Sequence, residues 1–274
     1  MSNRQIKEVF KITDNDFTKI PIPQSTVENL VNPATKSTGN ALQTVVDAFF
    51  HFSLDGLRRY NIVKEKDLLD FQKKIYEKTE SIPEENRDDS KVGLAFKSLE
   101  DSRYQLDEEL MRELFSNLLV STLDDRKNNK VLPSFSHILS NLTNADALFL
   151  KKINDSHGAM PLVQATLHEV NGYRSLPILK NTVLSVEGFD TNSRTVLDTL
   201  EMFGLLKIDQ ELSLGSDYHE AMYTSFENTE FISNLRNMPP REVGGIMFQE
   251  PIIQKGRVDL TNLGRDFVNI VFQK

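Results

Sequence analysis

The sequence predicts a mainly α chain of the α+β class: an N-terminal helical bundle followed by a winged-helix-like C-terminal domain. Three observations predict it. Gly and Pro are scarce, 12 and 10 of 274 residues. That is about 8% where about 12% is usual, which leaves few turns for many short strands. Apolar residues recur at three- and four-residue spacings through most of the first half, as one face of a helix requires. The last third mixes helical stripes with short extended runs, in the order helix, helix, strand, strand pair, helix. The expected organisation is an irregular arm over 1–36, a helical bundle over 37–145 and a winged-helix-like α+β domain over 146–274.

Each element has its own justification. In the arm, Pro21, Pro23 and Pro33 break any long helix, because each lacks an N–H and restricts its predecessor. From Ala41 to Tyr60, Leu42, Val45, Val46, Phe49, Phe50 and Leu57 make one apolar stripe. The next helix spans about 64–79, with Leu68, Phe71 and Ile75 in step, and Pro83 ends it. A third carries Val92, Phe96 and Leu99. Asp107 reads as the N-cap of a fourth, whose strong face is Leu110, Leu114, Phe115, Leu118, Leu119 and Leu123. Pro133 and Ser134 open a shorter helix bearing Phe135, Ile138, Leu139 and Leu142. Thr143 or Asn144 caps the next, which is expected to bury Leu148 and Ile153.

In the second half, Gly158, Pro161, Gly172 and Pro177 break the helical rhythm. A helix returns over 192–203 with Val196, Leu197, Leu200 and Phe203, and Gly204 stands where a left-handed residue belongs. Leu205, Leu206 and Ile208 read as extended. Residues 245–259 read as a β-hairpin around Pro251 and Gly256, with Gly244–Gly245 as a turn. The last helix starts at Leu260–Thr261–Asn262, with Gly264 for close packing and Phe267 in the core.

Charge and composition exclude several chemistries. With no cysteine there are no disulfides, thiolate metal sites or thiol nucleophiles. Lys plus Arg is 32 against 40 Asp plus Glu, a net charge of −8, and no basic face is gathered to attract phosphates. On the helix over 192–203, Arg194 and Asn192 are offset by Asp198 and Glu201, and the presumed wing adds only Lys255 and Arg257. Nucleic acid is therefore not an expected partner. The stretch from Ala41 to Tyr60 carries Asp47 and Asp55 where a membrane-surface helix would carry basic residues, so it reads as core or oligomer contact. The first ten residues do not resemble a signal peptide, and a cytoplasmic protein is expected.

No phosphate loop, nucleophile elbow or zinc-binding helix motif occurs. His51, His137, His157, His168 and His219 show no mutual spacing that marks a ligand set, and each reads as a surface or structural residue. The acidic pairs Glu84–Glu85, Asp88–Asp89 and Asp124–Asp125 read as solvated loop charges. The sequence names no catalytic, cofactor-binding or metal-binding residue, and no cofactor is expected.

Four segments carry a family resemblance: SIPEENR at 81–87, DEELMRELFSNLLVSTLD at 107–124, VLPSFSHILSNLTNADALFL at 131–150, and the pair LDTLEMFGLL at 197–206 with LTNLGRDFV at 260–268. In this order the chain resembles the Abi-alpha family, a bacterial group linked to abortive infection by phage. Where that family commonly has a His before Pro-Ser-Phe, this chain has Leu132, so no role of that His carries over. The resemblance implies a part in phage defence and names no catalytic residue. Beside it, the residues favour a non-enzymatic protein that works by contact with a protein partner or a second copy of itself. The alternatives are a nucleic-acid-binding regulator using the winged-helix-like domain, and a toxin enzyme with an unrecognised pocket.

Overall fold

The structure is a computed structural model that describes residues 65–186, 188–190 and 194–273. The arm over 1–36 and the stripe from Ala41 to Tyr60 lie outside the described residues. The fold is α+β, with nine α-helices and a six-stranded antiparallel sheet among the described residues. None of those helices is long and apolar enough to cross a membrane. The chain divides into two compact units, one of residues 65–141 with 270–273 and one of residues 142–269.

The first unit is helical: α1 (Glu65–Glu80), α2 (Val92–Ser102), α3 (Glu109–Ser121) and α4 (Phe135–Ser140). Helices α1, α2 and α4 all touch α3, which explains why α3 buries far more than one stripe. Met111, Arg112 and every residue from Leu114 to Ser121 are buried, the signature of a helix surrounded on all sides. Its buried polar groups find partners within the helix and at Val271. The hydroxyls of Ser116 and Ser121 donate to the carbonyls of Glu113 and Asn117 at 2.7 and 2.8 Å, and the Asn117 amide donates to the Val271 carbonyl at 2.8 Å. The N-cap residue is Glu108 rather than Asp107, and no side chain caps the helix.

Two charged clusters fix α1 to α3. Arg112 donates to Asp70 at 2.8 Å and to the Leu106 carbonyl at 2.6 Å, with Asp67 at 3.3 Å. Glu113 accepts from Lys74 at 3.0 Å and also from Lys78. Burial opposes the charge on Glu113, but the two ammonium groups outweigh it and hold the carboxyl below its ordinary value of 4.5. Such a group contributes stability above its unfolded-state value and loses it as pH falls through the lower folded-state value. Glu113→Gln is therefore expected to flatten the fall in urea midpoint between about pH 5 and about pH 3. Equal acid sensitivity in the two proteins would contradict this.

The second unit holds α5 (Asn144–Asp155), β1 (Ala159–Glu169), β2 (Ser175–Ser185), β3 (Gly188–Asp190), α6 (Arg194–Met202), β4 (Leu206–Asp209), α7 (Asp217–Glu227), α8 (Glu230–Asn237), β5 (Arg241–Val243), β6 (Ile246–Leu260) and the start of α9 (Asn262–Val271). The sheet order is β3-β2-β1-β6-β4, and β5 pairs with β6. Leu162 and Val163 are consecutive strand residues and both fully buried, so β1 is covered on both faces. Tyr223 and Phe226 of α7 and Ile232 and Leu235 of α8 pack with Val163, Ala165 and Leu167. Helices α5 and α6 contact β1, β6, β2 and β4.

Two expectations are corrected here. The segment over 159–185, read as broken, is a pair of eleven-residue strands. Residues 245–259 are no hairpin: all but Gly245 belong to one fifteen-residue strand, β6; the hairpin turn is Gly244–Gly245, both at positive φ, joining β5 to β6. Pro251 is tolerated because β6 at that point pairs only with β1, between its short partners β5 and β4. One side is then open for a residue with no N–H to donate.

Candidate functional site

Two pairs of the segments singled out in the sequence meet, as structure. In the first unit, residues 81–87 dock on the end of α3. Asp88 N–H donates to the Leu123 carbonyl at 2.9 Å, Asp125 N–H to the Asn86 carbonyl at 3.0 Å, and the Asn86 amide to Asp125 at 3.0 Å. Asp124 takes two bonds from the Arg126 guanidinium, at 2.7 Å each, which hold its carboxyl below the usual range. Asp88 is likewise lowered, first by the Ser90 hydroxyl. Phe115 and Phe135 are fully buried. Among the described residues, no three His, Asp or Glu side chains gather as metal ligands would.

In the second unit, Thr261 joins the other pair of segments. Its hydroxyl donates to the Gly204 carbonyl at 2.6 Å and accepts from Gly264 N–H at 2.9 Å. The basic residues weighed for nucleic acid are engaged elsewhere. Lys255 pairs with Glu220 at 2.9 Å, Arg257 with Asp259 at 2.9 Å, and Arg194 donates to the Lys180 carbonyl at 3.1 Å.

Among the described residues, a cleft in the second unit has room for a ligand. It forms where α5 ends, β1 begins, β2 ends and α7 begins. A thoroughly capped helix starts it: Thr143 and Asp146 make a reciprocal capping box on α5. At the other end, Gly158 N–H donates to the Ile153 carbonyl at 2.8 Å and His157 N–H to the Asn154 carbonyl at 3.1 Å. Helix α6 ends by the same bonds, Leu205 to Leu200 at 2.9 Å and Gly204 to Glu201 at 2.8 Å. The left-handed residue of that motif is Gly204, φ +70, in α6, but His157, φ +59, in α5. A side chain in that conformation costs about 1–2 kcal/mol, which glycine avoids.

Across the cleft, Ser216 caps α7. Its hydroxyl oxygen accepts from His219 N–H and lies 2.7 Å from His219 Nδ1. Between them opens a cavity of about 570 Å³, whose lining includes Lys152, His157, Met160, Ser185, Tyr218 and His219. A second hollow of about 270 Å³, lined by Gly188, Phe189, Ala221 and Phe226, continues it and shares Val186, Tyr218 and Met222. The lips are apolar and exposed: Val186 at 79% and Tyr218 at 60%.

Sequence reasoning missed this cleft. His157 and His219 stand far apart in sequence, and only the turn of α5 into β1 and the seating of α7 on the sheet bring both to one cavity. The other described histidines have separate settings: His168 Nε2 lies 3.3 Å from the Ser175 hydroxyl across the β1–β2 ladder, and His137 is exposed. One signal was available in principle, a His-Gly pair closing a helix.

The family model for abortive infection alpha matches residues 63–271. None of the curated proteins and none of the solved structures compared matches the chain. With most of its length matched, the chain belongs to the abortive infection alpha family.

Proposed function

We propose, from that membership, that the protein takes part in abortive-infection phage defence, and that it acts by contact with a protein partner or a second copy of itself rather than by catalysis. The observation that carries the contact reading is the apolar lip of the cleft. Val186 and Tyr218 are exposed beside a hollow lined by Phe189, Met222 and Phe226. An exposed tyrosine within a contiguous apolar patch is a common anchor of a protein interface. On this reading the first unit is a helical bundle. The α6–β4–β6–α9 stretch is a winged-helix-like arrangement used for packing, because Lys255 and Arg257 already hold carboxylate partners and few cations are left for phosphates.

Plating efficiency tests it. Bacteria protected by the wild-type chain are compared with bacteria making Tyr218→Asp or Val186→Asp at equal abundance. Both positions are exposed, so folding is expected to stay within about 0.5 kcal/mol, while protection is lost. Full protection by both variants would overturn the contact reading.

A further inference from the structure

We propose that the 570 Å³ cavity binds a small molecule with an apolar, ring-sized body and one anionic group, a carboxylate or phosphate monoester. The size falls in the range of small-molecule sites, about 300–1,000 Å³. The walls divide by chemistry. Met160, Leu184, Val186, Met222 and the Tyr218 ring supply an apolar surface, and Lys152, His157 and His219 supply donors. The one carboxylate in the lining is Asp155. Lys152 offsets Asp155, and His157 and His219 add ring nitrogens that can donate.

His219 can present a donor to the cavity. Its Nδ1 is occupied by the Ser216 hydroxyl at 2.7 Å. With the ring proton on Nε2 the Ser216 hydroxyl donates to Nδ1, with it on Nδ1 the same hydroxyl accepts, and a protonated ring carries a proton on both nitrogens. In the Nε2–H tautomer and in the protonated ring, Nε2–H can donate to an acceptor, above all to an anion. Lys152 and His157 are exposed and line the cavity. His157 also sits at a position that folding alone would give to glycine, as α6 does with Gly204. Its imidazole stands at the cavity.

The inference stands apart from the defence reading, because it is tested on the isolated full chain. Isothermal titration calorimetry is run with 1-naphthoate, 1-naphthyl phosphate and, as the neutral control, 1-naphthamide. At least one anion is expected to bind about tenfold or more tighter than the amide, the effect of one charge-assisted hydrogen bond. His157→Gly and Lys152→Gln are each expected to weaken that binding by about tenfold. His157→Gly relieves a left-handed side chain, so its thermal midpoint is expected to equal or exceed the wild type's, which separates lost binding from lost folding. Three results would overturn the proposal: amide binding as tight as the anions, no binding of either anion at millimolar concentration, or unchanged affinity in both variants. None of these results bears on whether Tyr218→Asp abolishes protection.

Discussion

Gly264→Ala is expected to destabilise the protein by about 3 kcal/mol or more, the top of the range for overfilling a packed site. Two effects compete. Alanine is the better helix residue by about 1 kcal/mol, so in an open helix the change would stabilise. Here a Cβ on Gly264 would overlap the Leu205 carbonyl oxygen, with the Leu205 carbonyl carbon at 3.0 Å and Leu260 Cδ2 at 3.2 Å. The carbonyl has nowhere to go. It accepts from Thr261 N–H at 3.0 Å, and Thr261 in turn binds the Gly204 carbonyl and Gly264 N–H. Gly204 itself is held at φ +70 by the C-terminal bonds of α6. Relief requires moving α9 away from the α6–β4 turn, which opens Leu260 and Phe267, both buried. The clash therefore outweighs the propensity gain. Urea unfolding followed by far-UV circular dichroism reads the result, and a loss below about 0.5 kcal/mol would show that the turn yields.

The same corner shows what the residues disclose unaided. A glycine three residues after a threonine, behind a strand-like run, is a cap with a close approach, and Gly204 after a four-residue apolar stripe is a left-handed helix end. Both are local rules, and both are found. Thr143 as the cap of α5 is local as well. What escapes is set by partners distant in sequence. Strands β1 and β2 contain Pro161, Pro177 and, between them, Gly172, which read as interruptions until the ladder shows which sides of the strands are free. Helices α7 and α8 each bury only two residues, Tyr223 with Phe226 and Ile232 with Leu235, too narrow a stripe to mark a helix by periodicity. Tyr223 is committed further by its hydroxyl, which donates to the Gly256 carbonyl at 2.5 Å, and its burial raises its pKa. Because α7 was illegible, so was the cleft that it walls, and with it the pairing of His157 and His219.

Leu118→Ala is expected to cost about 2–5 kcal/mol, and Leu148→Ala less than about 0.5 kcal/mol. The sequence treats the two leucines alike, since each sits on a helical apolar stripe. The fold separates them. Leu118 lies in the middle of α3, fully buried, with Leu114, Phe115 and Leu119 also buried around it. Helices α1, α2 and α4 enclose α3, so the space vacated by the isobutyl group has no water to fill it and no loose neighbour to collapse into it. The loss is then the transfer free energy of the removed carbons plus a cavity term. Leu148 is 52% exposed, while its neighbours Phe149, Leu150 and Ile153 face the core. Truncating it removes surface that water already touches. Alanine is also the better helix former at this exposed position, which offsets what little packing is lost. The two variants thus measure whether α3 is enclosed and whether α5 is turned as described. Urea midpoints that move equally, or a Leu148→Ala loss as large as that of Leu118→Ala, would show that α5 presents a different face to the sheet.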